Sequence, residues 1–190
     1  MQRVAYLMLT AVGLAAPASS QVLTIGTTDA RRCYLAADAR IASADALNSC
    51  DLALVSGDAR TRVATHVNRG ILRLLTREDA SALADFDAAL AIDGRQPEAW
   101  LNKGVALVRA DRPTEAVEAL DRALGLETKR PALAHFARAY AYEDMGRVGA
   151  AYRDLRTAAS LSPTWEAPRR ELRRFRVRSA AGGGAGQGTF

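Results

Sequence analysis

The two histidines of this chain, His66 and His135, stand 69 residues apart, and each is followed three residues later by an arginine, Arg69 or Arg138. Sixteen residues beyond each arginine stands an aspartate, Asp85 or Asp154. Imidazole, guanidinium and carboxylate together could bind a metal, move a proton or form an ion pair. The cysteines, Cys33 and Cys50, could close a disulfide or contribute to a metal site. No Cys/His array with zinc spacing, glycine-rich phosphate loop or nucleophile elbow accompanies them. No catalytic, cofactor-binding or metal-ligating residue is therefore assigned, and a non-enzymatic protein is expected.

The N-terminus bears on the cysteines. Arg3 is followed by an apolar run, Val4–Ala16, and then by Ala16-Pro17-Ala18, an A-x-A cleavage pattern. Positive, apolar and small-residue regions in that order read as a secretory signal over residues 1–18. The run is too short for the roughly 20 residues that span a bilayer. Cleavage near Ala18 makes Ser19 the first mature residue, with Gln21 as the alternative, and the location periplasmic or secreted. Exported thiols meet an oxidising compartment. Residues 33–50 read as two short helices with a break near Ile41-Ala42, and Ser43 suits the N-cap of the second. An antiparallel hairpin brings Cys33 and Cys50 level, so a disulfide is expected. Two cysteines without a nearby histidine do not complete a tetrahedral zinc site.

The elements that would carry these groups follow from a repeat. "ASALADFDAALAID", "PTEAVEALDRALGLE" and "GAAYRDLRTAASLS" are one amphipathic segment written at steps of 34 and 35 residues. Such a period is a helix-turn-helix unit stacked on the next. Aligned on Gly70, Gly104 and Ala139, the chain places His66, Trp100 and His135 four residues earlier. Ala82, Ala116 and Ala151 come twelve later, then Phe86, Leu120 and Leu155, then Ala89, Ala123 and Ala158. Small residues stand where helix backbones approach, and large apolar ones fill the gaps beside them. Pro97, Pro113 and Pro131 sit where first helical turns begin.

At "WLNKGVAL", "AVEALDRA", "HFARAYAY" and "AAYRDLRTA" followed by Pro163, the chain resembles the tetratricopeptide repeat family, in an exported bacterial form. The resemblance implies an all-α, right-handed superhelical solenoid of antiparallel helix pairs. It covers residues 63–163 as repeats 63–96, 97–131 and 132–163. Before them, 29–57 reads as a divergent helical pair. After them, 164–178 reads as a basic capping helix covered by Trp165, Leu172 and Phe175, and 179–190 as a disordered tail. The chain departs from the family pattern at Arg69, Lys103 and Arg138 in place of Leu, at Arg73 and Leu107 in place of Tyr, and at Gly94 and Thr128 in place of Pro.

The resemblance also implies a concave groove lined by the first helix of each repeat. Its positions fall on Val67, Asn68, Ile71 and Leu75, on Leu101, Asn102, Val105 and Arg109, and on Phe136, Tyr140 and Asp144. The family's carboxylate clamp is absent, because Val67 and Ile71 replace its Lys and Asn. The groove is largely apolar, with Asn68 and Asn102 available to a peptide backbone. Two functions follow. One is a cell-envelope scaffold that binds a partner peptide or helix in the groove. The other is a structural or self-associating module whose groove is filled by its own terminal helices.

Two charge patterns remain. Residues 169–178 hold six Arg and one Glu, and their net +5 equals that of the whole chain. The body is thus close to neutral, unlike the basic face of a nucleic-acid-binding domain, and no nucleic acid is expected as partner. The segment reads as the solvated face of a capping helix, with contact to a membrane surface as the weaker reading. The partner is a protein or peptide, and homo-oligomers are compatible with the pattern. The pairs Arg69–Asp85 and Arg138–Asp154 can face one another across the two helices of their repeats, as ion pairs that set the helix angle. The competing reading has all four side chains in water.

Overall fold

The computed structural model describes residues 28–181, so the signal segment 1–18 and most of the expected tail lie outside the described residues. The described residues form α1 (Thr28–Ala39), α2 (Ala44–Ser56), α3 (Ala59–Leu75), α4 (Asp79–Ile92), α5 (Pro97–Arg109), α6 (Pro113–Gly125), α7 (Pro131–Asp144), α8 (Val148–Leu161) and α9 (Glu166–Ala181), with no strand among them. Each helix packs on the next, and α1, α3, α5 and α7 also pack on one another in order. First helices thus make one layer and second helices the other, as a helical solenoid requires.

Local chemistry sets the helix ends. The Ser43 hydroxyl accepts the Ala46 N–H at 3.1 Å, and the Asp58 carboxylate accepts the Thr61 N–H at 2.8 Å. Pro97, Pro113 and Pro131 begin α5, α7 and the helix between them, where an absent N–H costs nothing. The turns inside the repeats fall on Arg77, Asp111 and Gly146, all with positive φ. In each, the following N–H closes on a carbonyl five residues back, Arg73, Leu107 or Tyr142. That is the Schellman closure of a helix end.

The repeated small residue explains the pairing angle. A Cβ added to Gly70 would lie 2.5 Å from Phe86, and one added to Gly104 would lie 2.5 Å from Leu120. Phe86 and Leu120 are fully buried, so each second helix drives a large side chain into the notch left by its first helix. The core divides into one cluster around Val67, Leu72 and Phe86 and another around Leu101, Leu120 and Phe136. Two boundaries differ from expectation. Helix α3 begins at Ala59, a turn before the aligned repeat, because Asp58 caps it. Helix α9 continues to Ala181, since Ser179-Ala180-Ala181 tolerates helix before the glycine run starts.

Candidate functional site

Helices α1, α3, α5 and α7 pack on one another in order, and α3, α5 and α7 carry the expected groove positions. In the full chain that row is not an open trough. Val67, Asn68 and Leu101 are fully buried, and Ile71, Asn102, Phe136 and Tyr140 are nearly so. Leu75, Val105 and Arg109 are half-buried, and Asp144 is exposed. The reasons are local. Val67 and Ile71 share a cluster with Cys33 and Ala37, because α1 packs on α3. Trp165, which precedes α9, packs tilted against Phe136 at 4.7 Å between ring centroids, and Tyr140 meets Phe136 edge-to-face at 5.1 Å. Burial pushes the Tyr140 hydroxyl upward, with the Glu171 carboxylate adding to it.

The polar members of the row differ from one another. Asn102 donates to its own helix at the Glu98 carbonyl, 2.7 Å away. Arg109 donates to the Leu74 carbonyl at 2.7 Å and pairs with Asp79 at 2.8 Å, tying α5 to the end of α3. Asn68 has neither donor nor acceptor satisfied, and the Thr65 hydroxyl one turn before it is also unpartnered. A buried amide left in that state costs about 1–3 kcal/mol, so it invites a partner with both a donor and an acceptor. A peptide backbone offers both.

The seams between layers hold the charged groups. Arg69 meets Asp85 at 2.6 Å through Nη2 and at 3.0–3.1 Å through Nε. Arg138 meets Asp154 at 2.7 and 2.8 Å. Both aspartates are buried. Histidines complete each group: His66 Nδ1 lies 3.0 Å from Asp85 and His135 Nδ1 2.8 Å from Asp154. An ionised carboxylate only accepts, so each Nδ1 carries a proton. Burial alone would raise the Asp85 carboxyl, but hydrogen bonds from His66 and Arg69 and the charges of Arg69 and Arg73 outweigh it and hold it below its ordinary range. Asp154 is likewise lowered against burial, by hydrogen bonds from Arg138 and His135 and by their charges.

The sequence spacing pairs each arginine with one carboxylate and gives the histidines no assigned role. In the structure each arginine bridges two helices. Arg69 also reaches Asp51 of α2 at 2.5 Å, and Arg138 reaches Asp121 of α6. Lys103 takes the same position in the middle repeat and reaches Asp87 of α4 at 2.5 Å. The signal was present in the sequence: Asp51, Asp87 and Asp121 recur at steps of 36 and 34 residues. Arg73 adds a further bond to Asp85 at 2.7 Å. These basic side chains at the family's Leu position join successive units.

Cys33 and Cys50 are disulfide-bonded, with 2.09 Å between sulfurs and 4.9 Å between Cα atoms, so α1 and α2 are covalently joined. At the other end, Arg169, Arg170, Arg173 and Arg174 are exposed on α9 while Glu171 is buried. Arg174 bonds Glu171 and reaches Glu143 of α7 at 2.9 Å. Phe175 approaches Tyr152 of α8 at 5.9 Å, so the apolar side of α9 covers the last repeat. No helix among the described residues is long and apolar enough to cross a membrane.

A family model described as tetratricopeptide repeat matches residues 97–130 and 132–164. These are the units α5–α6 and α7–α8 with their following turns. Comparison with curated proteins gave no match.

Proposed function

We propose that this chain, whose residues 97–130 and 132–164 match the tetratricopeptide repeat, is an exported scaffold that holds a partner peptide or helix along its first-helix layer, since repeats of that family generally mediate protein–protein interaction. The single observation that carries the reading is the family match over α5–α6 and α7–α8. The members of the row still accessible to a partner are Leu75, Val105, Arg109 and Asp144. Export is supported by the Cys33–Cys50 disulfide and by the signal pattern of residues 1–18. The exposed arginines of α9 are the solvated side of a cap.

A second reading is a self-associating module. It is favoured by α1 packing on α3 and by Leu35, Leu52 and Val55, which the outermost helix pair exposes. Capture from periplasmic extract, combined with light scattering of pure protein, separates the two. The scaffold reading expects a stoichiometric foreign protein that is lost in Val105→Arg and retained in Glu118→Arg on the outer face. A clean homodimer with no foreign protein in any sample contradicts it.

A further inference from the structure

The two ends of the stack are finished differently. At the C-terminal end, Arg169, Arg170, Arg173 and Arg174 of α9 are exposed, a polar cap over the last repeat. The N-terminal pair carries apolar side chains instead. Of the eight large apolar side chains exposed among the described residues, four (Leu35, Ile41, Leu52 and Val55) fall on α1, α2 and their turn, with Val55 88 % exposed. Exposed apolar groups gathered in one place mark a contact surface. The Cys33–Cys50 bond joins the two helices covalently, so little ordering remains to oppose binding there.

Charge along α1 decides what fits this surface. Arg31 and Arg32 stand one turn before Leu35 and Asp38 one turn after it, and all four are exposed. Residues at these spacings share one helix face. Arg40 does not share it: it leaves the helix at φ 58° and feels the charge of Arg130, before α7. Arg32 reaches Asp29 at 3.4 Å yet keeps 70 % of its side chain exposed, so it is open to a second carboxylate. Turning α1 end over end about Leu35 exchanges its basic and acidic ends, so the face is complementary to its own antiparallel copy. We propose that two copies of this chain pair through α1 and α2, antiparallel about a two-fold axis at Leu35, with Arg32 of each facing Asp38 of the other. Because the disulfide sets the two helices level, Val55 stands about as far from the axis on one side as Ile41 does on the other, and these two meet as well. The contact closes on itself. A head-to-tail contact would instead press the exposed arginines of α9 on Arg31 and Arg32. The inference goes beyond the scaffold reading and does not rest on it: Leu52 and Val55 belong to the second layer, and the accessible members of the row lie on α3, α5 and α7.

The test is analytical ultracentrifugation of the purified protein over a concentration series. A monomer–dimer equilibrium is expected. Val55→Glu should weaken it about tenfold, since a carboxylate would be desolvated against apolar side chains. Arg32→Asp and Asp38→Arg should each weaken it roughly tenfold, by setting like charges together at two symmetry-related places. Mixing these two variants in equal amounts should restore the wild-type affinity in a heterodimer, because each then supplies the charge the other lacks. All three substitutions are at exposed positions, and unchanged circular dichroism melts should show that the fold is kept. A monomer at every concentration reached, a dimer indifferent to Val55→Glu, or a mixture no tighter than its components overturns the proposal. So does a chain that pairs only after residues 19–27 are removed, since its own segment would then be the occupant. The two readings fail separately. A dimer of this kind with no captured foreign protein removes the scaffold and keeps the interface, and a partner captured by a monomer does the reverse.

Discussion

Replacing Asp85 by alanine removes the acceptor that three basic side chains share. Asp85 is 2 % exposed, and it receives bonds from His66, Arg69 and Arg73. Breaking a buried pair by deleting one partner costs about 3–5 kcal/mol, because the remaining charge is left desolvated. Here the cost is smaller. Arg69 and Arg73 keep 16 % and 25 % of their side-chain exposure, and Arg69 keeps Asp51. A loss of about 2–3 kcal/mol is expected. The middle repeat supplies the control: it holds Ala119 at the Asp position, Lys103 at the Arg position and Trp100 at the His position, with Lys103 5.4 Å from the centre of the Trp100 ring. The variant Asp85→Ala/Arg69→Lys/His66→Trp/Arg73→Leu copies that seam, with Leu107 at the Arg73 position, and should recover most of the loss. Urea denaturation at pH 7 measures both. The pH dependence has a definite sign. The folded carboxyl is lowered, so its contribution is full above the unfolded value near 3.9 and disappears as pH falls through the lower folded value. The gap between wild type and Asp85→Ala should therefore be constant from pH 7 to about 5 and shrink below about 4. An Asp85→Ala protein as stable as wild type, or a fourfold variant no better than the single one, would refute the reasoning.

Further outcomes follow from the same contacts. Cys33→Ser should lower stability by about 3 kcal/mol, the loop-closure value for a link across 17 residues, and the wild type should lose the same amount in reductant. Gly104→Ala should cost about 1–3 kcal/mol through overpacking against Leu120, and Gly104→Ala/Leu120→Ala should relieve the clash but leave a cavity, as thermal melts would show. Asp111→Gly should raise stability by up to about 1 kcal/mol, because Asp111 holds φ at 57° in a turn where Gly146 serves the next repeat.

Much of this architecture was legible because its determinants are local and periodic. A notch residue every 34 or 35 residues with a large side chain sixteen residues later announces a stacked helix pair, and Gly70 with Phe86 shows why in atomic terms. The Arg–Asp spacing was legible for the same reason. What it hid was valence: a guanidinium has five donors, so Arg69 and Arg138 each serve two helices, and the second partner comes from the preceding unit. The histidines escaped because a ring at a rim position is compatible with packing or with bonding, and only the facing helix decides. The early start of α3 lay in Asp58, a cap that falls before the aligned repeat. The burial of Val67 and Phe136 was legible only as one of two alternatives, since positions on one helix do not decide whether terminal residues such as Cys33, Ala37 and Trp165 cover them.

The scaffold reading stands most directly on whether the first-helix row of the protein touches another protein. A photo-reactive side chain placed at Val105, in cells that export the chain, measures this contact where it would occur. The account predicts one dominant adduct with a foreign protein. It predicts no such adduct when the reactive group stands at Glu118 on the outer face of α6. Adducts from Glu118 but not from Val105, or adducts from Val105 only with a second copy of this chain, would contradict it.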